Sequence, residues 1–327
     1  AGNDHRLGAN EAPPAIISIF LGDQLEKLVD YIETGKITSE TDKKFLDFGV
    51  STLPVIAKDN TDRNRTSPFA FTGNKFEFRA CGSSMSISWP STVINTIVAE
   101  SLDFIADALE RKGGDVNKTA FEVMREILKD SKKVVFNENG YAHEWEVEAG
   151  KRGLPNAKNT PEAIKALKTD KSKKLFEKYG ILSQVETEAR YNIAVERYIK
   201  EVEIEANAMY TIVETQIIPA GLEYQSKVAR SIAEVKAAIG DADLGPQKEL
   251  LQKIASTISK VKKSCDELKA NNASAHKQHD EEKIAAYYCD NVTTKMAELR
   301  NAVDELELIC DDEMWPLPKY WEMLFVF

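Results

Sequence analysis

Three long runs of apolar residues with helical spacing constrain the fold of this 327-residue chain more than any other feature. In each run the apolar side chains recur every three or four residues, so they share one face of a helix. The runs extend over residues 191–217, 250–268 and 284–310. Such faces are buried against neighbouring helices. We therefore predict an antiparallel helical bundle over residues 183–313, with a break at 240–245 and a kink or helix end at Pro219.

The remainder of the chain has mixed patterns. Residues 1–113 combine glycine and proline with short strands and two helical stretches, an α+β pattern. One helix is predicted after Pro13-Pro14, starting near Ile16 and ending at Gly35, and another after Trp89-Pro90-Ser91. Residues 114–182 form a mixed connecting region, with short helices predicted at 117–131 and 160–179. Residues 314–327 form an aromatic and proline-rich tail.

The charge and cysteine patterns exclude several classes of protein. Lys and Arg number 43 against 53 Asp and Glu, and the net charge of -10 disfavours general binding to nucleic acid or to an anionic membrane. No apolar run reaches the length of about 20 residues that a membrane-spanning helix needs. The four cysteines are widely separated and form no CxxC pair, which favours reduced thiols in a cytoplasmic protein.

Residues 75–79 carry the most unusual local pattern. Alternate side chains of a strand point to opposite faces, so one face would carry only Lys75, Glu77 and Arg79. A solvated charged face is one interpretation. The other is a binding site to which Arg63 and Arg65 also contribute. Arginine forks match carboxylates and phosphates, and a glutamate among arginines can ligate Mg²⁺ or Mn²⁺.

A second polar segment, residues 5–14, contains small residues, Arg6, Glu11 and a double-proline exit. Glu11 could be a charge placed near a helix N-terminus, where the helix dipole favours it. It could equally belong to a loop that closes over a substrate and accepts a proton. The residues alone leave both interpretations open.

Two long motifs resemble type III glutamine synthetase. They are Gly-Asn-Asp-His-Arg-Leu-Gly-Ala-Asn-Glu-Ala-Pro-Pro at 2–14 and Asp-Arg-Asn-Arg-Thr-Ser-Pro-Phe-Ala-Phe-Thr-Gly-Asn-Lys-Phe-Glu-Phe-Arg at 62–79. The resemblance continues through residues 82–88 into the helical extension and covers essentially the whole chain. It implies that ammonia is ligated to glutamate with ATP and Mg²⁺ or Mn²⁺, giving glutamine through a γ-glutamyl phosphate. It also implies a large homo-oligomer of two stacked hexameric rings.

The resemblance assigns roles to individual residues. Glu11 would be the catalytic glutamate that shields the intermediate from water and helps to deprotonate ammonium. Arg6 and Arg79 would bind substrate, with Arg6 on the glutamate carboxylate. Arg65 would be a catalytic residue that contacts the ATP phosphate and the transferred phosphoryl group. Glu77 would be a ligand of the metal on the nucleotide side.

This sequence departs from the pattern of the short bacterial enzymes at two places. The spacing from Arg6 to Glu11 is one residue shorter. A further arginine of that pattern is replaced by Pro-Phe-Ala at 68–70, and whether Arg63 or Lys75 compensates stays open.

The resemblance also places further catalytic parts of the family, its other metal-binding glutamates and histidine and its β-grasp domain, before Ala1. There is no initiator Met, so we expect a fragment. Because those catalytic parts are missing from it, we expect the fragment to be inactive alone. Two alternatives remain: a non-catalytic assembly or binding module, and a related ligase that joins a carboxylate to another amine. His143, His276 and His279 lack partners at metal-ligand spacing, which favours a surface loop or an exposed helix end over a metal site.

Overall fold

The computed structural model describes Asp4 and residues 14–34, 45–46, 56–57, 67–80, 82, 85–240 and 243–324. The chain forms two compact units, Ala1–Ala189 and Arg190–Phe327. The described residues are mostly helical and include a small sheet, in line with the predicted α+β pattern followed by helices. None of the helices among them combines the length and the apolar character needed to cross a membrane.

The strands among the described residues are short, and all of them lie in the first unit. They are β1 (Ile19–Phe20), β2 (Phe45–Leu46), β3 (Ile56–Ala57), β4 (Phe69–Phe71) and β5 (Phe76–Phe78). β4 is the middle strand of a three-stranded sheet, parallel to β1 and antiparallel to β5. β2 and β3 form a separate antiparallel pair. The buried Ala70 lies at the centre of the three-stranded sheet, and the Phe69 ring stacks on the Phe76 ring with centroids 5.5 Å apart.

The helices of the first unit are α1 (Gly22–Thr34), α2 (Ser88–Lys112), α3 (Val116–Ser131), α4 (His143–Lys151), α5 (Thr160–Lys168) and α6 (Asp170–Lys178). α7 (Gln184–Ile212) begins in the first unit and continues into the second. The second unit contains α8 (Ile218–Ile239), α9 (Gly245–Ala275), α10 (Glu281–Tyr287), α11 (Thr293–Glu307) and α12 (Tyr320–Leu324). Segments of π-helix at Val213–Ile217 and Tyr288–Val292 join α7 to α8 and α10 to α11.

The first predicted helix starts later than expected. Ile16 is buried while Ile17 is 55% exposed, an alternation typical of extended chain, and β1 follows. α1 begins only at Gly22, whose φ of 77° marks the turn out of β1. The side-chain oxygen of Asn137 accepts hydrogen bonds from the backbone N–H groups of Leu21 and Gly22, at 2.8 and 3.0 Å. That distant contact fixes the start of α1, which ends at Thr34 as the pattern predicted.

A small aromatic core holds the first unit together near α4. The rings of Phe136 and Trp145 stack with centroids 3.8 Å apart, and Trp145 is only 2% exposed. Ile16 and Ala149 are buried in the same cluster, and Leu154 packs against it. The segment just before β1 is therefore packed onto α4 and its flanking residues.

The two short helices predicted in the connecting region have different outcomes. The helix predicted at 117–131 is confirmed as α3, with the Asp115 side chain capping its N-terminus. The stretch 160–179 is divided into α5 and α6 because Thr169 is extended, with ψ of 144°. The Thr169 hydroxyl accepts a hydrogen bond from the Ser172 N–H at 3.3 Å and so caps the second helix.

In the second unit most residues of the apolar stripes are buried, as predicted. α9 packs against α8 and α11. Its buried face consists of Ile254, Thr257, Ile258, Val261, Cys265, Leu268, Asn272 and Ala275. The break at 240–245 is confirmed: α8 ends at Ile239, and α9 begins at Gly245 with Pro246 in its first turn.

Pro219 does not end the helical path, one of the two predicted outcomes. The π-helical segment Val213–Ile217 precedes it, and α8 begins at Ile218 with the proline in its first turn. A proline has no N–H to donate, and the first turn of a helix is where that donor is not needed. The wider π turn therefore accommodates the proline within a continuous helical stretch.

Candidate active-site hairpin

The hairpin of β4 and β5 positions the charged residues that the sequence singled out. Its turn is closed by a hydrogen bond from the Thr72 N–H to the Lys75 carbonyl, at 2.9 Å. Gly73 in this turn has φ of 96°, a conformation that favours glycine. The Arg79 N–H donates to the Pro68 carbonyl at 2.7 Å and extends the pairing beyond β5. Glu77 stands opposite the buried Ala70 in the strand register.

Glu77 is surrounded by polar and cationic partners. Its Oε2 accepts from Arg79 Nη2 at 3.2 Å, and its Oε1 lies 3.3 Å from Lys75 Nζ. The Thr72 hydroxyl also donates to Oε1, at 3.4 Å. The prediction that Lys75, Glu77 and Arg79 share one face of the strand is therefore confirmed. Thr72 was missed, although its place in the turn just before the strand was a usable signal.

The electrostatics of the hairpin keep Glu77 ionised. The hydrogen bond from Arg79, followed by the one from Lys75, lowers the pKa of the Glu77 carboxyl below its ordinary value. The Glu77 side chain is 38% exposed, so its oxygens remain accessible from solvent. An ionised, accessible carboxylate is the ligand type that Mg²⁺ and Mn²⁺ prefer. Glu77 thus fits the predicted role of a metal ligand in its chemistry.

Glu77 would not hold a metal alone. Within the described ranges, no three or more His, Cys, Asp or Glu side chains are grouped so that they could hold a metal ion. Arg6, Glu11, Arg63 and Arg65 lie outside the described residues, so their predicted convergence with Glu77 stays a prediction.

The segment that leads to Arg6 has one described residue, Asp4. Its Oδ1 accepts two hydrogen bonds from Thr160, one from the backbone N–H at 3.0 Å and one from the hydroxyl at 2.6 Å. Sequence reasoning missed this contact because the two residues are 156 positions apart. The only sequence signal was the Asn-Thr-Pro-Glu stretch at 159–162, which is typical of a helix start.

His143 and His276 lie at helix ends, and His279 lies in the exposed loop between α9 and α10, in line with the predicted surface loop or exposed helix end. His143 is the first residue of α4, and its side chain is largely exposed, 3.7 Å from Glu146. His276 follows α9, with its Nε2 2.9 Å from Glu203 Oε1. Neither belongs to a group of metal-ligand type in the part of the chain that the structure describes.

Comparison with known proteins identifies the relatives of the chain. A family model described as the glutamine synthetase C-terminal domain matches residues 119–236. The chain is 40% identical over 331 residues to the type-3 glutamine synthetase of Dictyostelium discoideum, covering 99% of this chain and 45% of that protein. It is 37% identical over 337 residues to the glutamine synthetase of Bacteroides fragilis (strain YCH46), covering 99% of this chain and 46% of that protein.

A third relative, the glutamine synthetase of Butyrivibrio fibrisolvens, is 35% identical over 325 residues, covering 99% of this chain and 46% of that protein. The chain therefore spans a little under half the length of the curated relatives it matches. The resemblance indicated by the motifs is confirmed, and the chain is homologous to the glutamine synthetases, among them a type-3 enzyme, along nearly its whole length.

Proposed function

We propose that this chain forms part of a glutamine synthetase that ligates ammonia to glutamate with ATP. The observation that carries the proposal is the Glu77–Arg79 pair on the β4–β5 hairpin, in a chain 40% identical to a type-3 glutamine synthetase. The reaction would proceed through a γ-glutamyl phosphate. The enzyme would act in nitrogen metabolism in the cytoplasm, on glutamate, ammonia and ATP.

The hairpin residues would act through charge and orientation. Glu77 would bind a divalent metal, Mg²⁺ or Mn²⁺, which supplies charge neutralisation for the nucleotide phosphates. Arg79 would bind substrate, and its hydrogen bond to Glu77 holds the guanidinium and the carboxylate in fixed relative positions. Lys75 would keep the carboxylate ionised and replace the arginine absent at 68–70.

The remaining residues would complete the reaction. Arg65 would contact the ATP phosphate and the transferred phosphoryl group, and Arg6 would bind the glutamate carboxylate. Glu11 would exclude water from the acyl phosphate and accept a proton from ammonium. Further metal ligands would come from outside residues 1–327. We therefore expect residues 1–327 by themselves to make no glutamine.

We extend the proposal to the organisation of the chain. Residues 1–113 would be the C-terminal part of the catalytic domain, and 114–182 a connecting region. Residues 183–313 would be an antiparallel bundle extension, followed by the tail at 314–327. The packing of α9 against α8 and α11 supports the bundle. The assembled protein would be a homo-oligomer of two stacked hexameric rings.

The test compares Glu77→Gln with Glu100→Gln in the longest natural polypeptide that carries this chain. Glu100 is a matched control, because its carboxylate is also paired with a lysine, Lys178, and its pKa is also lowered. We expect Glu77→Gln to reduce ATP-dependent glutamine synthesis about a hundredfold or more and to raise the Mg²⁺ concentration for half-maximal rate. Glu100→Gln should stay within about twofold of the wild type.

Two results would contradict the proposal, and a third would contradict the expectation that residues 1–327 are inactive alone. If Glu77→Gln is as active as the wild type, Glu77 does not act as a metal ligand. If the wild-type polypeptide binds ATP but ligates only an amine other than ammonia, its activity is that of a related ligase and not glutamine synthesis. Glutamine synthesis by purified residues 1–327 would overturn the expectation that further residues are required.

A further inference from the structure

Helix α2 exposes apolar side chains along its middle. The apolar side chains between positions 97 and 104 are all about half exposed or more: Ile97 (46%), Val98 (47%), Leu102 (61%) and Phe104 (56%). Over the whole of this 25-residue helix, which the structure describes throughout, Thr96 is the single buried residue. A folded domain rarely leaves such a concentration of apolar surface in contact with water unless something binds there.

Polar side chains make several of the contacts that hold α2 within the first unit. The Tyr179 hydroxyl lies 2.9 Å from Glu100 Oε2 and 2.7 Å from Asp103 Oδ2. Lys178 Nζ lies 2.9 Å and 3.5 Å from the same two carboxylates. At the end of α2, Lys112 pairs with two glutamates of α3. The described neighbours of α2 thus hold its polar groups while the apolar residues at 97–104 stay on the surface, the reverse of what apolar burial favours.

The first unit also has a small core among the residues that the structure describes. Its buried apolar side chains there are Ile16, Ala70, Val123, Trp145, Ala149 and Phe176. None of them belongs to α2. In the second unit, by contrast, α7, α9 and α11 each bury a series of apolar residues. A unit of this length normally buries more apolar surface, so other residues are needed to complete the core to which α2 belongs.

The length of the relatives points to the source of those residues. The chain matches 45–46% of the length of three glutamine synthetases, so more than half of each relative lies outside the match. α2 also lies before residues 119–236, which match the glutamine synthetase C-terminal domain model. A second copy of the chain would cover the surface of a domain whose core is already complete, whereas α2 belongs to a unit whose described core is incomplete.

We propose that the α2 face, formed by Ile97, Val98, Leu102 and Phe104, is the docking surface for the part of the same polypeptide that lies outside residues 1–327. The partner surface is apolar, and the contact completes the core of one domain. This inference rests on the proposed function, because it takes residues 1–113 as part of a larger catalytic domain.

The test uses the longest natural polypeptide that carries this chain. The photoreactive residue p-benzoylphenylalanine replaces Phe104, because it keeps an aromatic ring on the α2 face, and mass spectrometry identifies the crosslinked peptides. The same probe at Leu308, which is 86% exposed in the second unit, is the control. On a denaturing gel, a crosslink within one polypeptide keeps the mass of one copy, whereas a crosslink between copies doubles it.

We expect the probe at position 104 to crosslink within one copy to residues outside 1–327, with a yield about tenfold above that of the control probe, because only a contacting side chain is within reach. Cysteine accessibility gives an independent measurement in the same polypeptide. A water-soluble maleimide should modify Leu102→Cys at position 102 about a hundredfold more slowly than it modifies Leu308→Cys at position 308, because a covered thiol reacts only when the structure opens.

Several results would overturn the docking surface. Crosslinks from position 104 only to residues within 1–327 would mean that this chain covers the α2 face itself, and crosslinks that double the mass would assign the face to a second copy. No crosslink from position 104, or equal modification of the two cysteine variants, would leave the α2 face in water. Neither measurement depends on activity, so a polypeptide with the expected crosslinks that makes no glutamine keeps the docking surface and loses the proposed function.

Discussion

Replacing Asn137 by alanine should loosen the junction between β1 and α1. The Asn137 side chain makes three hydrogen bonds: it accepts from the N–H groups of Leu21 and Gly22 and donates to Glu26 Oε2 at 2.7 Å. Each hydrogen bond contributes about 0.5–1.5 kcal/mol net, and water can replace part of this at a partly buried site. We expect Asn137→Ala to destabilise the first unit by about 2 kcal/mol.

The assay is thermal unfolding combined with hydrogen exchange of α1. A loss of about 2 kcal/mol in a unit of this size lowers its Tm by about 4–8 °C. Asn139→Ala is the control, because within the described part of the chain the Asn139 side chain makes only a local hydrogen bond, which it accepts from the Tyr141 N–H. It should change the Tm by less than about 2 °C.

A second substitution at position 137 tests the same reasoning by introducing a negative charge. Asn137→Asp keeps the acceptor for the two N–H groups and places a carboxylate against Glu26. Repulsion between the two carboxylates raises their pKa values, so this variant should be least stable at neutral pH and recover as pH falls and one of them is protonated. The reasoning is refuted if the Ala variants at 137 and 139 have equal Tm values, or if the Asp variant shows no such pH dependence relative to the wild type.

Two further predictions concern the second unit. Leu299→Ala removes a side chain that is 0% exposed and should lower the free energy of unfolding, measured in urea, by about 2–5 kcal/mol. The control Leu308→Ala, at a side chain 86% exposed, should change that free energy by less than about 0.5 kcal/mol. Similar losses of stability in the two variants would contradict the described core. Cys265 is also fully buried, and burial raises the pKa of its thiol. A thiol reagent at pH 8 should therefore modify Cys265 only as fast as the second unit unfolds locally. Rapid modification of Cys265 in the folded protein would refute this prediction.

The second unit could be predicted from the sequence because its signal is local and repeated. A buried helix face requires apolar residues every three or four positions, and α9 and α11 follow that rule throughout. The two π-helical segments were not predicted. Val213 and Ile217, and likewise Tyr288 and Val292, keep the spacing of four that an α-helix would show, so the stripe passes through each π segment without a visible change.

The small sheet was harder to predict because its pairing is not local. β1 contains only Ile19 and Phe20, and the apolar residues around it fit a helical pattern as well as a strand. Its identity as a strand depends on parallel pairing with β4, far along the chain, and on Asn137, which sets the start of α1. The strand β5, by contrast, could be predicted from the alternation of Lys75, Glu77 and Arg79 with the two phenylalanines.

The long-range contacts that could not be predicted from the sequence have partners in one stretch of the chain, and this bears on how the candidate site is held in place. Asn137 fixes the turn after β1, which pairs with the hairpin strand β4, and Thr160 holds Asp4. Both partners lie in the stretch that matches the glutamine synthetase C-terminal domain model, outside the motifs that indicated the function. Through β1 and its pairing with β4, this stretch therefore supports the hairpin that carries Glu77. Substitutions there should therefore alter substrate binding without removing any residue that touches the substrate.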